Sequence, residues 1–204
     1  MRGPLSAWAC FPAAPRSADL GPPVARRDIG VALPLPEPYL GQLQAWRERL
    51  GDPNAWQIPP HITLLPPTTL TTDDLGDVEE HLRTVAARER SFVVHLSGSA
   101  TFRPLSPVVF VPLAEGEAEC ARLERQVRHG PLARALAYPY HPHVTVAHDL
   151  DDAALDQAET SLASYDARFR VWGFTLFERG KDSVWRPQRD FPFTGEVGPQ
   201  PEVG

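Results

Sequence analysis

The 204-residue sequence predicts an α+β fold, bilobal, with two small and mainly antiparallel sheets, helices on the outside and a central cleft. Three observations lead there. A strand-like segment occurs twice, as Pro60-His61-Ile62-Thr63-Leu64 and as Pro142-His143-Val144-Thr145-Val146, about 80 residues apart. Segments of period-two alternation interleave with segments of helical spacing around both copies. The resulting order is strand, helix, strand, helix, hairpin, helix, strand, helix, hairpin. The second half thus roughly repeats the first, a pseudo-two-fold internal duplication rather than a short-period solenoid.

Asp28 to Leu35 reads as a strand interrupted by proline near its end. Pro38 to Leu50 carries Leu40, Leu43, Trp46 and Leu50 at helical spacing, and Gly51 stops it. Asp52 to Pro60 is a loop holding Trp56. His61 to Leu65 is the first of the paired strands, expected to close at Pro66-Pro67. Thr72 or Asp73 can cap the next helix, which runs to about Arg90 with Leu75, Val78, Leu82, Val85 and Ala86 on one face. Ser91 to Phe102 reads as one long or bent strand with a bulge near Gly98, and Val108 to Leu113 returns beside it around Pro104 to Pro107.

Glu115 to Arg128 is helical, with Cys120, Leu123 and Val127 inward, and Leu132 to Ala137 adds a turn. Tyr138 to Pro142 is a stiff aromatic approach to the second paired strand, His143 to Ala147. Asp151 to Ala163 is helical. Arg168 to Phe177 alternates as a single strand buried on both faces over part of its length. Lys181-Asp182 marks a turn, and Ser183 to Phe193 makes the last strand. The organisation expected is a tail over residues 1–26, one two-lobed domain over 27–194 and a second tail over 195–204.

Net charge is −6 and the pI acidic, which argues against a broad phosphate-backbone interface, since that needs a basic face. A small nucleotide or an RNA end in a local pocket stays compatible. Cys10 lies in the proline-rich N-terminal stretch and Cys120 in a helical pattern, so no disulfide is expected and a reducing cytoplasm is the default. No apolar run approaches the ~20 residues that span a bilayer, and a monomer is expected.

In a strand, alternate side chains share a face, so His61 pairs with Thr63 and His143 with Thr145, while Ile62, Leu64, Val144 and Val146 turn into the core. A lone strand histidine is ordinarily structural. Two histidines, each with threonine at the same offset, describe two chemical faces that can meet around one small anion. Phe102, Trp56 and Tyr140 are candidates for stacking a nucleobase, although each is also an ordinary packing residue. His148 has the opposite parity to His143 and is expected to point away from the cleft. His141, His143 and His148 raise a metal cluster as an alternative, but no carboxylate or cysteine stands at ligand spacing.

At PPHITLL and HPHVTVA the sequence resembles the two-histidine phosphoesterase superfamily, in its 2′-5′ RNA ligase-like and cyclic phosphodiesterase branch. The stretches GSATFRPLSPVVFVPL and VWGFTLFERGKDSVWRPQRDFPF are similar to that family as well, and the likeness covers about residues 28 to 193. It implies metal-free and cofactor-free cleavage of phosphodiesters and cyclic phosphates, with His61 and His143 as acid and base and Thr63 and Thr145 holding phosphate. The substrates implied are RNA ends or small nucleotides with a 2′,3′-cyclic phosphate, with 2′-5′ ligation as the reverse. A binding module that keeps the cleft without turnover is the alternative.

Overall fold

The computed structural model describes residues 25–195. In chain order it contains β1 (Arg26–Pro34), α1 (Tyr39–Leu50), β2 (His61–Thr71), α2 (Leu75–Arg88), β3 (Phe92–Ser97), β4 (Ala100–Thr101), β5 (Val108–Glu115), α3 (Glu117–Val127), β6 (His143–His148), α4 (Asp152–Ser161), β7 (Asp166–Val171), β8 (Gly173–Arg179) and β9 (Trp185–Pro192). One antiparallel sheet has the order β2-β1-β8-β9. In the other, β6 pairs one side of β5, β4 and β3 pair the opposite side, and β7 follows β3. This is the α+β, two-sheet architecture expected. Of the tails expected over 1–26 and 195–204, residues 1–24, Cys10 included, and 196–204 lie outside the described residues, while β1 already begins at Arg26. Among the described residues, no helix is long and apolar enough to cross a membrane.

The duplication is visible residue by residue. In the first unit β2 returns along β1 with Pro34 opposite His61, Leu33 opposite Ile62, Ala32 opposite Thr63 and Val31 opposite Leu65. In the second, β6 returns along β5 with Pro112 opposite His143, Val111 opposite Val144, Phe110 opposite Thr145 and Val109 opposite Ala147. Each return strand skips one residue, Leu64 or Val146, so each carries a bulge at the same offset from its histidine. Both bulged strands lie on an edge of their sheets, where an unpaired extra residue disturbs one ladder only.

The two units are not separate halves. β3 belongs by sequence to the first unit but pairs with β5, and β8 and β9 come from the C-terminal end to complete the first sheet. Helices brace crosswise: α1 packs on β6, and α3 packs on β2. One apolar core runs through both sheets, with Leu33, Leu43, Ile62, Leu64, Val94, Val111, Leu123, Val144 and Leu155 fully buried in it. Each such side chain gains about 1.5–3 kcal/mol from leaving water.

Four sequence expectations change. β2 does not stop at Pro66-Pro67 but continues to Thr71, because the missing N–H groups fall on an edge strand where the ladder is already broken between Ile29 and Val31. The helix entry is set by Thr71 rather than Thr72 or Asp73, with the Asp74 carboxylate accepting from its backbone N–H and its hydroxyl. Residues 132–137 form no helical turn beyond Gly130–Leu132. The single strand expected over 168–177 is two strands in two sheets. β7 alternates buried and exposed residues, whereas β8 is buried almost throughout, and exposed Trp172 marks the crossing.

Gly173 makes that crossing possible. A Cβ there would lie 2.5 Å from the carbonyl oxygen of Phe191. Gly173→Ala must therefore push β8 and β9 apart, and urea unfolding should show a loss of about 1–3 kcal/mol, as for an overpacked site.

Candidate active site

The edge strands β2 and β6 touch, and their polar faces border one cleft. His61 and Thr63 line it from the first sheet, and His143 and Thr145 line it from the second. The rings are close enough for the charge of His143 to act on His61. The remaining wall comes from α1 and the loop after it, through Arg47, Asp52, Asn54, Gln57 and Ile58, and from His148 and Trp185.

Both histidines are held in the same way. His61 donates from Nδ1 to the Pro59 carbonyl at 2.7 Å, and His143 donates from Nδ1 to the His141 carbonyl at 2.7 Å. A carbonyl only accepts, so each neutral ring has its proton on Nδ1 and its lone pair on Nε2. Proline follows the accepting residue in both cases, Pro60 and Pro142. A residue before proline is restricted to extended backbone, which limits where its carbonyl can point. The Pro-His pair is thus a local device for fixing an imidazole tautomer.

Burial then holds both rings neutral. The His61 pKa is lowered to about 4, first by burial and further by the charges of Arg47 and His143, against the opposing effect of the Pro59 hydrogen bond. The His143 pKa is also lowered to about 4, by burial and then by His141, against its own carbonyl bond. At neutral pH both rings are therefore bases, with Nε2 as the proton-accepting nitrogen.

The wall beside His61 is bolted by an ion pair inside the protein. Arg47 donates from Nε to Asp52 at 2.9 Å and from a terminal nitrogen to the Ile58 carbonyl at 2.6 Å. Asp52 in turn accepts from the Asn54 backbone N–H at 2.9 Å. Arg47 and Asp52 are each 3% exposed, so neither charge can lose its partner cheaply. Arg47 stands on the helix face otherwise occupied by Leu43 and Leu50. A charge at an apolar helix position was the signal in the sequence that could have found it.

The three aromatic candidates are placed differently from one another. Phe102 stacks on Phe110 at 4.2 Å and presents itself edge-on to His143 at 5.1 Å, so it flanks the second histidine without lining the cleft. Tyr140 donates its hydroxyl to the Thr63 carbonyl at 2.9 Å, tying the approach to β6 onto β2. Burial keeps that phenol protonated by raising its pKa well above the usual value. Trp56 is 74% exposed and stands away from the cleft lining.

His148 corrects the parity argument. The bulge at Val146 adds one residue to the alternation, so the side chain three positions beyond Thr145 returns to the cleft face. Among the described residues no three His, Cys, Asp or Glu side chains come together as metal ligands.

The family model of the 2′-5′ RNA ligase superfamily matches residues 35–183. A Bacillus pumilus protein named as a candidate phosphoesterase is 32% identical over 156 residues, spanning 76% of this chain and 90% of that protein. A similarly named Bacillus licheniformis protein is 32% identical over 108 residues, 53% of this chain and 63% of that one. For one from Bacillus cytotoxicus the figures are 31% over 102 residues, 50% and 59%. The chain thus spans less than two thirds of the latter two relatives. Among solved structures, Escherichia coli LigT complexed with ATP superposes with a TM-score of 0.63 at 20% identity, over 83% of this chain and 99% of that one. A Thermus thermophilus protein gives 0.59 at 22% identity, over 83% and 100%. These two likenesses are of fold.

The neutral histidines carry a stability signature. Their folded pKa lies below the unfolded value of about 6.5, so between pH 6.5 and about 4 the unfolded chain binds protons that the folded one refuses. Stability is complete above that window and lost as pH falls through it, by up to about 3 kcal/mol per ring. Urea unfolding at pH 7 and pH 4.5 should show a smaller pH-dependent loss in the His61→Phe/His143→Phe double variant than in the native protein.

Proposed function

The chain belongs to the 2′-5′ RNA ligase superfamily, and we propose that it is a phosphodiesterase opening 2′,3′-cyclic phosphate ends of RNA or small nucleotides. The observation that carries the reading is the pair of tautomer-locked imidazoles, one from each repeat, bordering one cleft with a threonine beside each. That LigT, which shares the fold, forms a complex with ATP supports a nucleotide as ligand.

In this reading water attacks phosphorus in line with the departing 3′ oxygen. The Nε2 of one neutral histidine takes a proton from the water, and the Nε2–H of the other, protonated, histidine gives one to the leaving oxygen. The product carries a 2′-phosphate and a free 3′-hydroxyl. Thr63 and Thr145 donate their hydroxyls to the non-bridging oxygens, where charge accumulates in the transition state. The same proton transfers, with a 5′-hydroxyl in place of water, make a 2′-5′ bond, and their reversal cleaves that bond back to the cyclic phosphate. The residues present complete this chemistry without a cofactor.

The environments of the rings support a division of roles. Arg47 opposes a second positive charge at His61, which favours His61 as the base. Among the described residues no such cation acts on His143 beyond the neighbouring imidazole of His141, which favours His143 as the acid. With both rings neutral in the free protein, the acid must gain its proton as the anionic substrate arrives. The negative charge of the phosphate raises the pKa of the pair and supplies the reason.

Purified protein incubated with nucleoside 2′,3′-cyclic phosphates in excess chelator should release 2′-phosphates. His61→Ala and His143→Ala should each lower kcat/KM by about 10²–10⁴-fold. The acid limit of the profile should lie lower in kcat/KM, which reports the free protein, than in kcat, which reports the complex. Native activity no greater than that of both variants across such substrates would refute the reading, and tight binding without turnover would favour a binding module.

A further inference from the structure

His148 lines the cleft just beyond the second of the paired motifs. Five residues after His61 stands Pro66, with no polar group to offer, and five residues after His143 stands His148. Pro66 falls where β2 breaks register with β1 a second time, between Ile29 and Val31, and does not line the cleft, whereas His148 stays opposite Val108 and does. His148 is 2% exposed, and its Nδ1 has no hydrogen-bond partner among the described residues. The other ring nitrogen, Nε2, lies 3.5 Å from Oδ1 of Asp149. Asp149 adopts the left-handed conformation at φ 54°, and its backbone N–H is anchored on the Pro107 carbonyl at 3.1 Å. Such a backbone is uncommon outside glycine, with aspartate among the residues that tolerate it. It keeps this carboxylate beside the imidazole.

The neighbours determine what His148 can do. The negative charge of Asp149, 3.5 Å from Nε2, favours the tautomer with the proton on that nitrogen and leaves Nδ1 as an acceptor. Arg47 and Asp52 face the ring from α1 and the loop after it, already satisfied by one another. Burial, ahead of the opposing charges of Asp149 and Asp52, disfavours the protonated ring. A neutral acceptor has nothing to offer a phosphate oxygen, which is itself an acceptor. It suits an O–H or N–H donor, and a buried acceptor without a donor is costly enough to make that match selective.

We propose that His148 is a specificity-determining residue, its Nδ1 accepting a hydrogen bond from a hydroxyl or amino group on the nucleoside part of the substrate. The proposal rests on the nucleotide reading of the cleft given above. It makes the cleft unequal at its two ends, although the catalytic residues are paired, so that a substrate binds in one orientation.

The test compares adenosine 2′,3′-cyclic phosphate with its 5′-deoxy analogue and with the purine riboside analogue that lacks the exocyclic amine. Native protein, His148→Leu, His148→Asn and His148→Gln are each measured, after thermal unfolding has established which are folded. In Asn the amide can take the place of Nδ1, whereas in Gln it reaches toward Nε2. The native protein should discriminate against one analogue by about tenfold, through KM rather than kcat. The analogue affected identifies the donor as sugar hydroxyl or base amine. His148→Leu should lose that factor on the parent substrate and lose nothing more on the analogue, and His148→Asn but not His148→Gln should restore it. Should His148→Leu not fold, the contrast between Asn and Gln decides. Calorimetric binding of the matching nucleoside 2′-phosphates gives the same comparison without turnover, so failure of catalysis and failure of this proposal are distinguishable. Equal losses on all three compounds, no discrimination by the native protein, or rescue by Gln as well as by Asn would each overturn it.

Discussion

Everything at the cleft depends on one hydrogen bond made twice, from a histidine Nδ1 to the carbonyl two residues before it. An imidazole on a strand can rotate and exchange tautomers. Here the preceding proline restricts the accepting residue, the carbonyl accepts from Nδ1–H, and Nε2 is left with the lone pair. Each bond also opposes the loss of basicity that burial imposes, and in both rings burial wins. Two neutral bases, rather than one acid and one base, are the resting condition of the cleft.

The fold serves to bring the two bonds together. Each histidine strand is an edge strand returning on the strand that opens its repeat, opposite a proline in both cases. Exchange of β3 and of β8–β9 between the sheets ties the repeats into one core, and the crosswise packing of α1 on β6 and α3 on β2 keeps the edges in contact. The Tyr140 hydroxyl on the Thr63 carbonyl is a direct polar link between the two motifs. A buried Arg47–Asp52 pair is an expensive way to hold a loop, since replacing such pairs by apolar residues often costs nothing. At the cleft wall its Arg47 opposes a positive charge on His61.

Much of this was legible in the chain. The two Pro-His-apolar-Thr segments, the helices at Leu43 and Leu82 and the duplicated order follow from local periodicity, and local periodicity is what a sequence displays. What escaped depends on long-range partners. Pro66-Pro67 reads as a stop until β2 is known to be an edge, and residues 168–177 read as one strand until its halves are seen to join different sheets. His148 was misplaced because parity counting assumes an unbroken ladder, and the bulge at Val146 is made by the register with β5. Arg47 was visible as a charge at an apolar helix position, but its partner lies in a loop without periodic pattern.

The protonation of two rings decides between this account and its rivals. Long-range proton–nitrogen correlation spectra of uniformly ¹⁵N-labelled protein, with His61 and His143 assigned by substitution, report which nitrogen of each ring carries the proton. At pH 7 both rings should be neutral with the proton on Nδ1, and both should stay so until the pH approaches about 4. A ring that is charged at neutral pH, or that carries its proton on Nε2, would contradict the account.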